Sequence, residues 1–123
     1  MHQYLSGFNV AKKEETKTKS LYAQANNLAK MIDYQEGSVV SRTLIDKKAG
    51  TVTLFAFDEG EGLSEHTAPF DAMVQVLEGE VVVTIAGKPV ELKAGEITIM
   101  PANKTHALSA KTKFKMLLIM IKS

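Results

Sequence analysis

The sequence predicts an all-β domain wound as a small closed barrel. From Ser38 onward, apolar residues recur with the two-residue period of strands, in about eight stretches. Turn residues separate these stretches every few positions, the spacing of a sandwich or barrel. No helix of about 10–15 residues alternates with them, which disfavours a parallel α/β arrangement.

The chain opens on a polar lead-in, Lys12–Lys19, without periodicity. Ser20 is placed to cap a short helix over 21–30, with Leu21, Ala25, Leu28 and Ala29 as its apolar stripe. Asn26 and Asn27 limit its length, and Tyr34 and Gly37 turn the chain out of it. Residues 1–37 are therefore expected to be a polar segment with a short N-terminal helix packed on the barrel. Tyr22 and Tyr34 are expected to cover the barrel mouth. Residues 38–123 form the barrel itself.

Val39–Ile45 and Thr51–Phe57 read as strands joined by a turn at Asp46–Gly50. In the second strand Val52, Leu54 and Ala56 share one face, and Thr53, Phe55 and Phe57 the other. Asp58–Gly62, with two Gly and three acids, reads as a loop. Met73–Leu77, Val81–Ile85, Val90–Leu92, Ile97–Met100, His106–Ala110 and Phe114–Ile121 complete the set. Gly79, Gly87 and Gly95 mark the turns, and Pro101 stops the strand before it. Phe114–Ile121 is apolar on both faces except at Lys115, so both faces need cover. The N-terminal segment can supply it. A second copy of the chain can add to it, and a homodimer through strands including 114–121 is expected.

A length of 123 residues suits one domain with a real core. There is no Cys, which excludes disulfides, thiolate metal sites and thiol nucleophiles, and fits a cytoplasmic protein. No stretch reaches the roughly 18 apolar residues of a membrane span, and the start lacks the layout of a secretory signal. The net charge of +1 divides into +3 over residues 1–30, −7 over 31–102 and +5 over 103–123. The lysines are scattered and Arg42 is the sole Arg, so nucleic-acid binding is not expected. The glycines form no phosphate loop, and Ser64 near His66 has no nucleophile elbow around it.

Gly60–Gly79 reads GEGLSEHTAPFDAMVQVLEG, and Gly95–Ala110 reads GEITIMPANKTHALSA. Together they resemble the two motifs of the cupin superfamily. The resemblance implies a double-stranded β-helix, or jelly roll barrel, over most of the chain. It aligns Gly60, His66 and Gly79 with the first motif, and Gly95, Pro101 and His106 with the second. Cupin metal sites usually take two His and one Glu from the first motif and one His from the second. Here the second His position holds Ala68, and the Glu position holds Ala72, with Asp71 one place earlier. The second motif's usual Gly is Asn103, and its final Asn is Ala110. His66 and His106 survive of the four ligands.

The resemblance brings His66 and His106 together inside the barrel, where three roles stand open. They can hold a divalent metal (Fe, Ni, Zn or Mn), with Asp71 as a further ligand if a bulge turns it inward. They can grip a small anionic or partly apolar molecule, with Gln75 and Arg42 as additional ligand-binding groups, or else with Gln75 at a dimer seam and Arg42 in a surface or intersubunit ion pair. They can also simply line the interior. The first role implies an enzyme of dioxygenase, isomerase or decarboxylase type, with His106 as a possible acid or base. The second implies a binding barrel without an assigned reaction, and the sequence leans towards it because two ligands are missing. Met73, Met100, Met116 and Met120 read as adaptable core filler, or else as the wall of a flexible apolar pocket.

Overall fold

The computed structural model describes residues 19–122. His2 and most of the polar lead-in lie outside the described residues. Nine strands follow a short 3-10 turn, Leu28–Lys30. They are β1 (Val39–Lys47), β2 (Gly50–Phe57), β3 (Gly62–His66), β4 (Asp71–Glu78), β5 (Glu80–Ile85), β6 (Lys88–Lys93), β7 (Ile97–Met100), β8 (His106–Ala110) and β9 (Phe114–Ile121). A five-stranded sheet runs β1-β2-β9-β4-β7, and a four-stranded sheet runs β3-β8-β5-β6. Eight of these strands follow the sequence pattern. The ninth, β3, falls where the alternation of Leu63, Ser64, Glu65 and His66 is broken by a register shift.

Each sheet turns one set of alternating side chains inward. Phe55, Phe57, Val74, Val76, Phe114, Met116 and Leu118 from the larger sheet meet Leu63, Val81, Val83, Leu92, Leu108 and Ala110 from the smaller. The face split expected for Thr51–Phe57 holds, with Phe55 and Phe57 in this core and Leu54 and Ala56 on the opposite side.

The expected helix over 21–30 is absent, and only the 3-10 turn stands in its place. The Asn26 side-chain amide donates to the carbonyls of Leu21 and Gln24, both at 3.2 Å. These side-chain bonds offer the backbone an alternative to the helical ladder. The segment still packs on the barrel, but on the outer face of the larger sheet rather than over the mouth. Leu28, Met31, Ile32 and Tyr34 lie against Val40, Leu54, Ala56, Leu77 and Leu117. Tyr22 is 63% exposed and covers nothing of this kind.

Three polar ties hold the segment down. Arg42 Nη1 donates to the Met31 carbonyl at 3.1 Å, Lys115 Nζ to the Ala29 carbonyl at 2.6 Å, and the Tyr34 hydroxyl to Glu78 at 2.6 Å. Burial, followed by the nearby Glu78 carboxylate, pushes the Tyr34 hydroxyl well above the usual phenol range. Lys115, the one break in the outer apolar face of β9, is thus a buried clamp that also lies 5.0 Å from the Tyr34 ring centre.

Part of that face stays open. Cross-strand register sets Ile45, Val52, Ile119, Met73 and Ile99 in one row. Ile97, Ile99 and Ile121 are more than half exposed. β9 pairs with β2 on one side and β4 on the other, so its backbone has no free edge for a second copy. Only face-to-face contact is open to a homodimer here. Among the described residues no helix is long and apolar enough to cross a membrane.

Candidate functional site

The two histidines meet at one end of the barrel interior. His106 opens β8 and points inward with Leu108 and Ala110, as strand alternation requires. His66 needs a device to join it. From Leu63 to His66 the chain takes three steps while its partner strand takes two, from Leu108 to His106. This extra residue is a β-bulge, and it turns His66 onto the same face as Leu63. Without the bulge His66 would face solvent. Asn103 helps shape the turn before β8. It takes a positive φ of 65°, which Asn tolerates where a glycine would be usual, and its N–H donates to the Ala68 carbonyl at 2.7 Å.

The two Nε2 atoms stand 3.0 Å apart, with ring centres at 4.3 Å and planes at 73°. His66 Nδ1 lies 2.7 Å from the Ser64 carbonyl, which can only accept. That contact places a proton on His66 Nδ1 and, in the neutral ring, a lone pair on its Nε2. His106 Nε2–H then donates across the gap. His106 Nδ1 is buried and makes no hydrogen bond among the described residues, although the Lys104 backbone favours a proton on this ring.

Around the pair the pocket is apolar: Leu63, Ala68, Ala72, Met100, Leu108, Leu118 and Met120. The free space is about 20 Å³, enough for one water molecule or one ion.

The remaining sequence candidates lie elsewhere. Asp71 follows the outward parity of β4. Its Oδ1 accepts from the Ala102 N–H at 2.8 Å, bracing the turn after β7. The ladder runs in regular register from Asp71 to Val76 against β9, so the bulge that would turn Asp71 inward is absent. Gln75 shares that outward face, opposite Leu117 and Ile97. Arg42 is on the outer face of β1, engaged with Met31. None of the three lines the His66–His106 pocket. Of the four strand methionines named above, Met100 and Met120 line it, Met116 is core, and Met73 faces outward. Parity with the inward Ala72 was the signal that separates Met73 from the others.

No group of three or more His, Cys, Asp or Glu converges among the described residues. The pair supplies two imidazole nitrogens, no carboxylate lines the pocket among the described residues, and Asp71 is turned away to the Ala102 N–H. The full cupin set for a divalent metal is therefore not met by these residues.

Burial, followed by the neighbouring His66, holds His106 below the ordinary imidazole pKa, against a smaller opposing pull from the Lys104 backbone. The unfolded chain takes up this proton near pH 6.5, and the folded chain only at lower pH. The contribution is intact above about pH 6.5 and is lost as pH falls through the lower, folded value. In metal-free protein the melting temperature should drop between about pH 7.5 and about pH 5.5. His106→Gln should flatten that drop, and an unchanged slope would refute the assignment.

A cupin-domain family model matches residues 53–122, more than half of the chain. The chain belongs to the cupin superfamily. The two facing sheets are the double-stranded β-helix of that superfamily. This cupin is similar to a conserved protein of unknown function from Streptococcus pyogenes, at 32% identity and a TM-score of 0.80, over 83% of this chain and 90% of that one. It is also similar to a cupin superfamily protein from Desulfitobacterium hafniense, at 32% identity and a TM-score of 0.78, over 82% and 93%. A cupin 2 conserved barrel domain protein from Leptotrichia buccalis is 47% identical, with a TM-score of 0.77, over 79% of this cupin and 47% of that chain. No curated protein matches this cupin.

Proposed function

We propose that this cupin is a binding barrel that holds one small guest between His66 and His106. The observation that carries the reading is the convergence of two imidazole nitrogens, 3.0 Å apart, in a pocket otherwise lined by apolar side chains. His106 Nδ1 is buried without a hydrogen-bond partner among the described residues, which supports a site that a guest completes. The free space of about 20 Å³ admits a single ion or one polar group of a small molecule. Anything larger requires Met100 and Met120 to swing aside, which their flexible stems permit. The alternative is a metal-dependent enzyme of dioxygenase, isomerase or decarboxylase type. It is less well supported, because the charged third ligand is missing.

The test is a thermal-shift titration of the untagged chain with acetate, butyrate, benzoate and a series of metal ions. A guest at a hundredfold excess over its Kd should add about 2.7 kcal/mol of stability. The gain should vanish in the His66→Ala, His106→Ala double variant. If no compound shifts the melting temperature, or the variant shifts equally, the binding reading fails.

We infer, in addition, that a second copy covers the open isoleucine face. The row from Ile45 to Ile99 carries no charge, and Gln75 beside it has an amide that can donate and accept across a two-fold axis. Sedimentation should show a dimer for the natural chain and a monomer for Ile99→Lys, a change at a 57% exposed position that leaves the core untouched. A natural chain that sediments as a monomer at high concentration would remove this inference.

A further inference from the structure

We propose that this cupin has a second binding site, an outer groove beside β1 in which Arg42 takes the carboxylate of a monoacid with a large apolar body. The site is separate from the pocket between the histidines and does not depend on it.

The groove forms where the segment before β1 runs beside the edge of the larger sheet. Its volume is about 800 Å³, within the roughly 300–1,000 Å³ of small-molecule sites. One wall is the segment 30–35, and the other is Val40, Ser41 and Arg42 of β1. β1 is an end strand of the larger sheet, so no further strand fills the space beside it. The segment is fixed without a ligand. Arg42 Nη1 donates to the Met31 carbonyl at 3.1 Å, and the Tyr34 hydroxyl to Glu78 at 2.6 Å. The Ser38 N–H donates to the Gln35 carbonyl at 3.1 Å and closes the turn between the two walls. A groove that is already formed loses less to ordering when it binds.

Arg42 is the group that calls for an anion. It is the sole Arg of the chain and is half-buried. Its bond to Met31 uses one amino group of the guanidinium and orients the plane. Among the described residues the ion pairs are Lys111 with Glu91 and Lys115 with Glu78, and neither involves Arg42. Charges withdrawn from water are normally paired. A ligand carboxylate matches the geometry of the remaining guanidinium donors.

Charge and surface set the ligand class. Lys30 and Arg42 against Asp33 leave the lining with one positive charge. A monoanion neutralises it, whereas a phosphate dianion overshoots and is repelled by Asp33. Met31, Ile32 and Val40 supply apolar surface between these charges. The Tyr34 hydroxyl is engaged with Glu78, so Tyr34 offers the groove its ring rather than a donor.

The test is a calorimetric titration of the full chain with 2-naphthoate and with its neutral amide, 2-naphthamide. Both are too large for the free space of about 20 Å³ beside the histidines. One naphthoate per chain is expected, bound more tightly than the amide. Arg42→Gln removes charged hydrogen bonds and should weaken naphthoate by about 10–100-fold. Arg42→Lys keeps the charge without the planar fork and should fall between the two. Amide binding should be nearly unchanged in Arg42→Gln, the sign that the groove survives loss of the bond to Met31. The His66→Ala, His106→Ala double variant should bind naphthoate as the natural chain does, and thermal melts check that each variant is folded.

Equal losses of naphthoate and amide in Arg42→Gln would overturn the proposal and make Arg42 a strut for the segment. Naphthoate lost from the folded histidine variant would place the ligand inside the barrel, so that this inference falls and the binding reading stands. A natural chain that binds no naphthoate also overturns it. If Arg42→Gln then turns a dimer into a monomer in sedimentation, the occupant of the groove is an acidic group of a second copy. The binding reading is decided by its own short carboxylates and metal ions, so either can fail without the other.

Discussion

Gly79→Ala should yield little folded protein. Gly79 links β4 to β5 at a φ of +78°, a left-handed conformation that costs an alanine about 1–2 kcal/mol. The larger penalty is steric. A Cβ there would lie 2.7 Å from Phe114 Cβ and 2.8 Å from Phe114 Cα, and would press on the Lys113 carbonyl. Phe114 is fully buried and its strand is paired on both sides, so the backbone cannot yield without unseating β9. A total loss above about 4 kcal/mol is expected, against about 5–15 kcal/mol for a whole domain. Gly87→Ala is the matched control, since Gly87 has a φ of +81° and nothing within 4 Å of its added carbon. It should lose only about 1–2 kcal/mol in a urea titration. Equal losses at the two positions would show that the contact with β9 is not what fixes Gly79.

Where the sequence was legible, strand parity was the reason. A period of two assigns every residue of β2, β4 and β9 to a face once one inward residue is known. That is why Phe55 and Phe57 fell inside together, and why Phe114–Ile121 read as covered on both sides. The pairing of His66 with His106 came from motif resemblance rather than parity, because the bulge between Leu63 and His66 defeats simple alternation. Gln75 and Arg42 are ligand-binding candidates by side-chain chemistry rather than by position. Their strand positions, opposite Leu117 and Leu54, put both on the outer face. The helix over 21–30 was suggested by spacing and undone by the Asn26 side chain, which bonds the carbonyls the helix would have used. Lys115 looked like a flaw in an apolar face. Its partner, the Ala29 carbonyl, is 86 positions away in the chain and could not be read from local pattern.

Phe57→Ala should be nearly as damaging as the glycine change, yet for a reason confined to the far end of the barrel. Phe57 is fully buried, stacks on Phe114 with ring centres 4.5 Å apart at 19°, and lies 5.9 Å from Phe55. Truncation removes the ring's burial and one aromatic contact, and it leaves a cavity that close-packed neighbours fill only in part. A loss of about 3–5 kcal/mol is expected, or roughly 10–20 °C in melting temperature for a domain of this size. The inward residues of β9 run Phe114, Met116, Leu118 and Met120, so about 20 Å of strand separates the stacked rings from the methionine beside the histidines. Phe57→Ala should therefore leave guest affinity unchanged at temperatures where the barrel is still folded. His66→Phe should do the reverse, removing binding with little change in the melt. A Phe57→Ala variant that is folded but has lost its guest would show that the two ends of the core are not independent, and that the pocket depends on packing along the whole length of β9.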